Sequence, residues 1–167
     1  MGLWERTPTL TVRMSDTAEA VVRDYYAALR RGDPLSPYFL ESESTVKFGI
    51  SEALFGFDEV CEALHEQTET TGDWTVESSR LVVADRGANA TFADDVRMAW
   101  TDTTSDEEYD FETRWSGTLV RRDDADGSTP VTTGESKTAA ATTGEAGDDD
   151  RPDWLFASMH VSAPHDL

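Results

Sequence analysis

The chain has 167 residues, 38% of them hydrophobic, and a formal charge of −20 at pH 7 from 34 acidic residues against 14 lysines and arginines. That length and apolar share allow one core of ordinary size and require no second domain. The charge argues against nucleic acid or anionic lipid as partners, because phosphates would be repelled instead of releasing counterions to basic side chains.

An excess of acid, Arg far ahead of Lys, and many Thr and Ala residues make a composition similar to that of proteins adapted to high salt. It bears on solubility, not activity. The lone cysteine, Cys61, excludes an internal disulfide and a thiolate-rich metal site. No apolar run approaches the ~20 residues that span a bilayer, and the N-terminus lacks a hydrophobic signal core. The expectation is a cytoplasmic protein without membrane contact. His65, His160 and His165 have no ligand spacing among them, so neither a metal nor another cofactor is expected.

Residues 1–13 carry no period and read as an N-terminal extension, with Met14-Ser15-Asp16 as a possible second start. A helix is predicted over 16–31. Asp16 is its cap, Glu19 completes a capping box, Ala18, Val21, Val22, Tyr25 and Leu29 form one stripe, and Arg30 to Pro34 end it. A short helical turn follows around 35–40. A strand at 45–50 then leads through a loop at Gly56 to a second helix whose apolar face reads Phe57, Val60, Cys61 and Leu64, ending near Thr70.

From Trp74 the pattern is β, with strands expected at 74–85, 88–100, 109–122 and 153–163. Phe92, Val96, Met98 and Trp100 share one face of the second; Ala93, Arg97 and Ala99 share the other. Gly117 marks a candidate bulge. Residues 123–152 lack bulky apolar side chains and read as a disordered acidic insertion in a single domain over 14–165. The elements together predict an α+β fold, a cone of N-terminal helices packed on a strongly bent antiparallel sheet.

Lys47, one of two lysines, sits in an apolar strand beside Val46, Phe48 and Ile50. Either its stem snorkels to solvent, or its ammonium waits in a hollow for an anion, where burial would lower its pKa. Tyr25 on the buried stripe either packs with a satisfied hydroxyl or donates to a ligand oxygen. His160 either anchors the end of the sheet or serves as acid or base. One of Asp94 and Asp95 must face inward: it is a cavity base with a raised pKa, or the two form a solvated pair. Arg114 alternates with Trp115, so it either points into the cone or pairs with outward acids such as Glu112.

Thr45-Val46-Lys47-Phe48-Gly49-Ile50 with Leu54-Phe55-Gly56-Phe57-Asp58 resembles the AtzH-like branch of the SnoaL-like, nuclear transport factor 2-like superfamily. There an Arg-Phe/Tyr-Gly strand leads into a Leu-Tyr-Gly-Tyr/Phe helix start. Arg114 to Arg121 and Trp154 to Ser162 are similar to the group's last two strands. The resemblance implies the cystatin-type cone, an enclosed cavity, dimers formed through the outer sheet face, and hydrolysis or isomerisation of a small carboxylated molecule. On it, Tyr25, His160 and Asp94 are catalytic candidates, and Lys47, Arg114, Phe48 and Trp115 candidates for binding an anionic ligand. Lys47 stands where the group has arginine, and a point-like ammonium lacks the guanidinium's two-pronged grip on a carboxylate. The alternative is a non-catalytic ligand-binding or association module.

Overall fold

The computed structural model describes residues 17–122 and 151–165. The expected extension 1–13, the expected cap Asp16 and residues 123–150 of the expected insertion lie outside the described residues.

Helix α1, Ala18–Arg31, begins at Thr17, whose Oγ1 accepts from the Ala20 amide at 3.0 Å. Thr17 therefore does the capping expected of Asp16. The helix stops at Gly32, whose φ of 78° is the left-handed conformation that closes a helix, its N–H returning to the last carbonyls. The predicted stripe is buried throughout, joined by Tyr26 and Ala28. Each fully buried valine or leucine contributes roughly 1.5–3 kcal/mol, so packing rather than propensity holds this 14-residue helix. A 3₁₀ turn, Ser36–Tyr38, follows where a helical turn was expected.

The chain then forms a tight hairpin of β1, Val46–Phe48, and β2, Ala53–Phe55, where one strand and a loop were expected. Helix α2, Phe57–Thr70, buries Val60 and Leu64, and Glu59 reaches back to the Phe55 amide at 2.9 Å to satisfy a donor ahead of its first turn. The remaining strands are β3, Thr71–Ser78; β4, Val82–Asp85; β5, Asn89–Asp102; β6, Glu107–Arg121; and β7, Trp154–Ser162.

They make one sheet in the order β2-β1-β7-β6-β5-β3, with β4 also on β5. The α+β class is as expected, but the sheet is mixed and not wholly antiparallel, because β1 runs parallel to β7. The strand expected over 74–85 is two strands. Its ladder along β5 breaks at 79–81, where the Asp94 carboxylate takes the Arg80 amide at 2.9 Å in place of a carbonyl.

Gly117 pairs with Phe92 on one side and Met159 on the other. A Cβ there would fall 2.3 Å from the Ser158 carbonyl oxygen and 2.9 Å from the Phe92 ring. The glycine permits this approach, while the irregularity itself lies on β7: Thr118 pairs with Ser158 and Leu119 with Phe156, leaving Ala157 over. Beyond residue 150 the Arg151 guanidinium donates to the Phe39 carbonyl and to Glu41, tying the start of β7 to the segment after the 3₁₀ turn.

Candidate functional site

Strand alternation divides the sheet into a concave face under α1 and a convex face turned away from it. On the concave side a cavity of about 430 Å³ opens beneath Tyr25 and Leu29. Its polar end is made by Lys47, Glu52 and Tyr25; its apolar wall by Trp74, Trp100, Tyr109 and Phe111, with Met98, Trp115 and Val161 behind.

Lys47 is inward, 6% exposed, between Leu54 of β2 and Met159 of β7. Its Nζ donates to Glu52 Oε2 at 2.7 Å. The partner follows from the hairpin: the Gly49 amide donates to the Glu52 carbonyl at 2.9 Å, a tight turn that brings residue 52 back beside the strand. The Glu52 side chain crosses directly over Gly49, where an added Cβ would meet its Cγ and Oε2 at 2.8 Å. Any other residue at 49 would push the carboxylate off this path.

Tyr25 is 1% exposed and lies within a group of rings, edge-on to Phe156 at 5.2 Å, Tyr38 at 5.4 Å and Phe39 at 5.8 Å. Its hydroxyl has no hydrogen-bond partner among the described residues and lines the cavity. Burial, then the negative charge of Glu52, then Tyr38, push its pKa far above the usual phenol value, so it stays an O–H donor.

The wall is a cross-strand stack. Trp74 and Trp100 lie 4.8 Å apart with planes 18° from parallel, and Trp100 and Tyr109 lie 5.3 Å and 25° apart. At the mouth, Asp102 accepts from the Thr104 hydroxyl at 2.6 Å and amide at 2.9 Å, bonds that lower its pKa and commit its carboxylate to the 103–106 turn.

The structure brings Tyr25, Lys47 and Trp115 together at this cavity and leaves the other sequence candidates elsewhere. Phe48 alternates with Lys47 and lies on the convex face, packed edge-on against Phe55 and His160 at 5.7 Å each. Arg114 and His160 are exposed on that same face, in a shallow depression with Asp95 and Ser162. Arg114 therefore does not point into the cone, and the alternative pairing with Glu112 is not made among the described residues; on this face Arg97 binds Asp110 at 2.6 Å and approaches Glu77 at 3.7 Å. Asp94 is inward and buried, as one of the two aspartates had to be, but it does not line the cavity. It accepts from Tyr26 Oη and the Arg80 amide, both at 2.9 Å, and clamps α1 to the break between β3 and β4.

Sequence reasoning missed Glu52 and the aromatic stack. The first had a local signal, a hairpin-length gap after Lys47 with Gly49 at its start. The second had only half of one, the shared parity of Met98 and Trp100, since its rings come from three strands. Among the described residues no cluster of His, Cys, Asp and Glu could hold a metal, and no helix is long and apolar enough to cross a membrane.

A scan against protein-family models finds no match, and no curated protein matches the sequence. Solved structures do match. A nuclear transport factor 2-like superfamily protein from Salmonella enterica serovar Typhimurium superposes with a TM-score of 0.63 at 16% identity, covering 95% of both chains. A candidate dehydratase of the same structural family from Streptomyces avermitilis gives 0.65 at 14% identity, covering 95% of this chain and 99% of its own. A ketosteroid isomerase-like protein from Erwinia carotovora gives 0.58 at 16%, covering 89% and 94%. At these identities the likeness shows the fold: the chain adopts the nuclear transport factor 2-like cone, two helices on a large curved mixed sheet.

Proposed function

We propose that the protein binds a small carboxylated molecule in the concave cavity and acts on it as a hydrolase or isomerase. Lys47 holds the anionic group and Tyr25 donates to a ligand oxygen. The observation that carries this reading is the Tyr25 hydroxyl, which has no hydrogen-bond partner among the described residues, at a hollow that also holds the buried Lys47. A ligand oxygen that accepts from it gains a hydrogen bond worth about 0.5–1.5 kcal/mol net, more where the acceptor is charged. With His160 on the convex face and Asp94 in its clamp, Tyr25 is the candidate left at the cavity to handle the proton, as an O–H donor to the reacting oxygen. The AtzH-like resemblance supports the carboxylated substrate; a dehydratase and an isomerase-like protein among the structural neighbours support chemistry in such a hollow.

Calorimetric titration with succinate and benzoate tests this. The native chain binds at least one of them, Lys47→Met abolishes the heat, and Tyr25→Phe weakens binding. Equal affinities in all three proteins would remove the reading.

The convex face supports a second role, association of two copies. Phe55 and Val82 are 59% and 64% exposed, and small side chains at Ala93, Ser116 and Gly117 leave shallow depressions over the sheet. A homodimer through this face would cover them. Light scattering of the native chain and of Phe55→Asp distinguishes dimer from monomer. The composition adapted to high salt and the single Cys61 support a protein of a salt-rich, reducing cytoplasm.

A further inference from the structure

Lys47 already holds a carboxylate, one supplied by its own chain. Glu52 meets it through one oxygen, and that carboxylate has no second hydrogen bond among the described residues. The Glu52 side chain is 36% exposed, so its head group can turn to water without unfolding anything. It reaches Lys47 only because residue 49 has no side chain to occupy the crossing point.

We propose that Glu52 occupies the place of a ligand carboxylate, and that the molecule displacing it is a monocarboxylate with an apolar, ring-bearing body. This rests on the reading of the cavity as a site for carboxylated molecules. The head group takes the ammonium from Glu52 and comes within the field of the Tyr25 hydroxyl. The body lies along Trp74, Trp100 and Tyr109, rings stacked on one another that together line the hollow. Against such a wall an aromatic ligand gains offset-stacked or edge-to-face contacts beyond its buried area. A simple fatty chain would fill the volume but gain none of this geometry.

Competition by Glu52 sets the affinity. A ligand that binds only when Lys47 is free sees its affinity reduced by the fraction of time the lysine is free. A partly exposed ion pair worth about 1 kcal/mol lowers that affinity about fivefold. Glu52 thereby acts as a specificity residue: a weak or poorly fitting acid does not displace it, and a neutral molecule gains nothing from trying.

Titration of tryptophan fluorescence tests this with benzoate, its neutral analogue benzamide, and acetate, on the full chain in molar potassium chloride. Glu52→Ala removes the competitor, and Gly49→Ala displaces it while keeping its charge. Both are expected to tighten benzoate about fivefold, the value of a partly exposed ion pair, leave benzamide unchanged, and bind acetate far more weakly than benzoate. Benzoate affinity that stays level or falls in both variants overturns the competitor role of Glu52. Acetate binding as well as benzoate overturns the ring-bearing body. If benzoate binds none of the three proteins, the carboxylate reading of the cavity falls together with this one.

Discussion

Tyr26 Oη donates to Asp94 Oδ2 at 2.9 Å, a buried hydrogen bond that spans 68 residues and joins α1 to the middle of β5. The other oxygen of the same carboxylate takes the Arg80 amide. A carboxylate in the sheet interior of this fold invites a catalytic role, and here it has a structural one. Hydrogen bonds to a charged group contribute about 1.5–3 kcal/mol each. Asp94→Ala is therefore expected to cost about 2–4 kcal/mol in urea unfolding with ligand affinity unchanged. A fully stable Asp94→Ala protein that no longer binds ligand would move Asp94 back into the functional site.

Tyr25→Phe should separate stability from binding. Its hydroxyl has no protein partner among the described residues, so deleting it breaks no bond within the fold and leaves the packed ring in place. Stability is expected to stay level or rise by a few tenths of a kcal/mol, while ligand affinity drops about tenfold, as loss of one hydrogen bond to a charged acceptor implies. Parallel denaturation and titration curves check both halves.

Alkaline pH should unfold the protein early. Burial is the first cause raising both Tyr25 and Tyr26 above the ordinary phenol value of about 10, followed by Glu52 for Tyr25 and by Asp94 for Tyr26. A raised folded-state pKa means the unfolded chain loses its proton first. The stabilisation is therefore complete below the unfolded value and is lost as pH climbs from there toward the folded one. Each tyrosine adds about 1.4 kcal/mol of lost stability per pH unit in that range. Denaturation midpoints measured from pH 8 to 11.5 should be flat at first and then fall, and Tyr26→Phe should flatten the fall.

Gly117→Ala tests the packing of β6 between its neighbours. The added Cβ would meet backbone, the Ser158 carbonyl, so no rotamer change relieves it. A loss of about 3 kcal/mol or more is expected, read as a lower urea midpoint. An unchanged midpoint would mean that β7 shifts freely at Ala157.

Salt should stabilise the whole. With a charge of −20, self-repulsion opposes compaction, and a Debye length of about 3 Å at 1 M salt screens it. The thermal midpoint is expected to rise steadily from low to molar potassium chloride; a flat or falling trend would contradict this.

The helices and the parity of β5 were legible because each is a local pattern: a stripe at helical spacing, a capping residue, an alternation of apolar and polar side chains. The direction of Lys47 was only half legible, since an apolar strand admits both a stem that snorkels to solvent and an ammonium turned inward. What escaped depended on distance in the chain. The parallel pairing of β1 with β7 joins residues more than a hundred positions apart, and the break in the 74–85 strand comes from a carboxylate on another strand. Placing both Lys47 and Phe48, or both Arg114 and Trp115, at one site overlooked that neighbours in a strand face opposite sides. Glu52 escaped because a charge looks solvated in the sequence until the fold shows which cation it reaches.

The account turns on a carboxylated ligand meeting Lys47 and Tyr25 on the concave side. Crystals grown in molar potassium chloride and soaked with benzoate test that most directly. The expected result is a carboxylate within hydrogen-bonding reach of Lys47 Nζ and Tyr25 Oη. Benzoate seated only on the convex face beside Arg114 and His160, with the concave cavity unchanged, would contradict it.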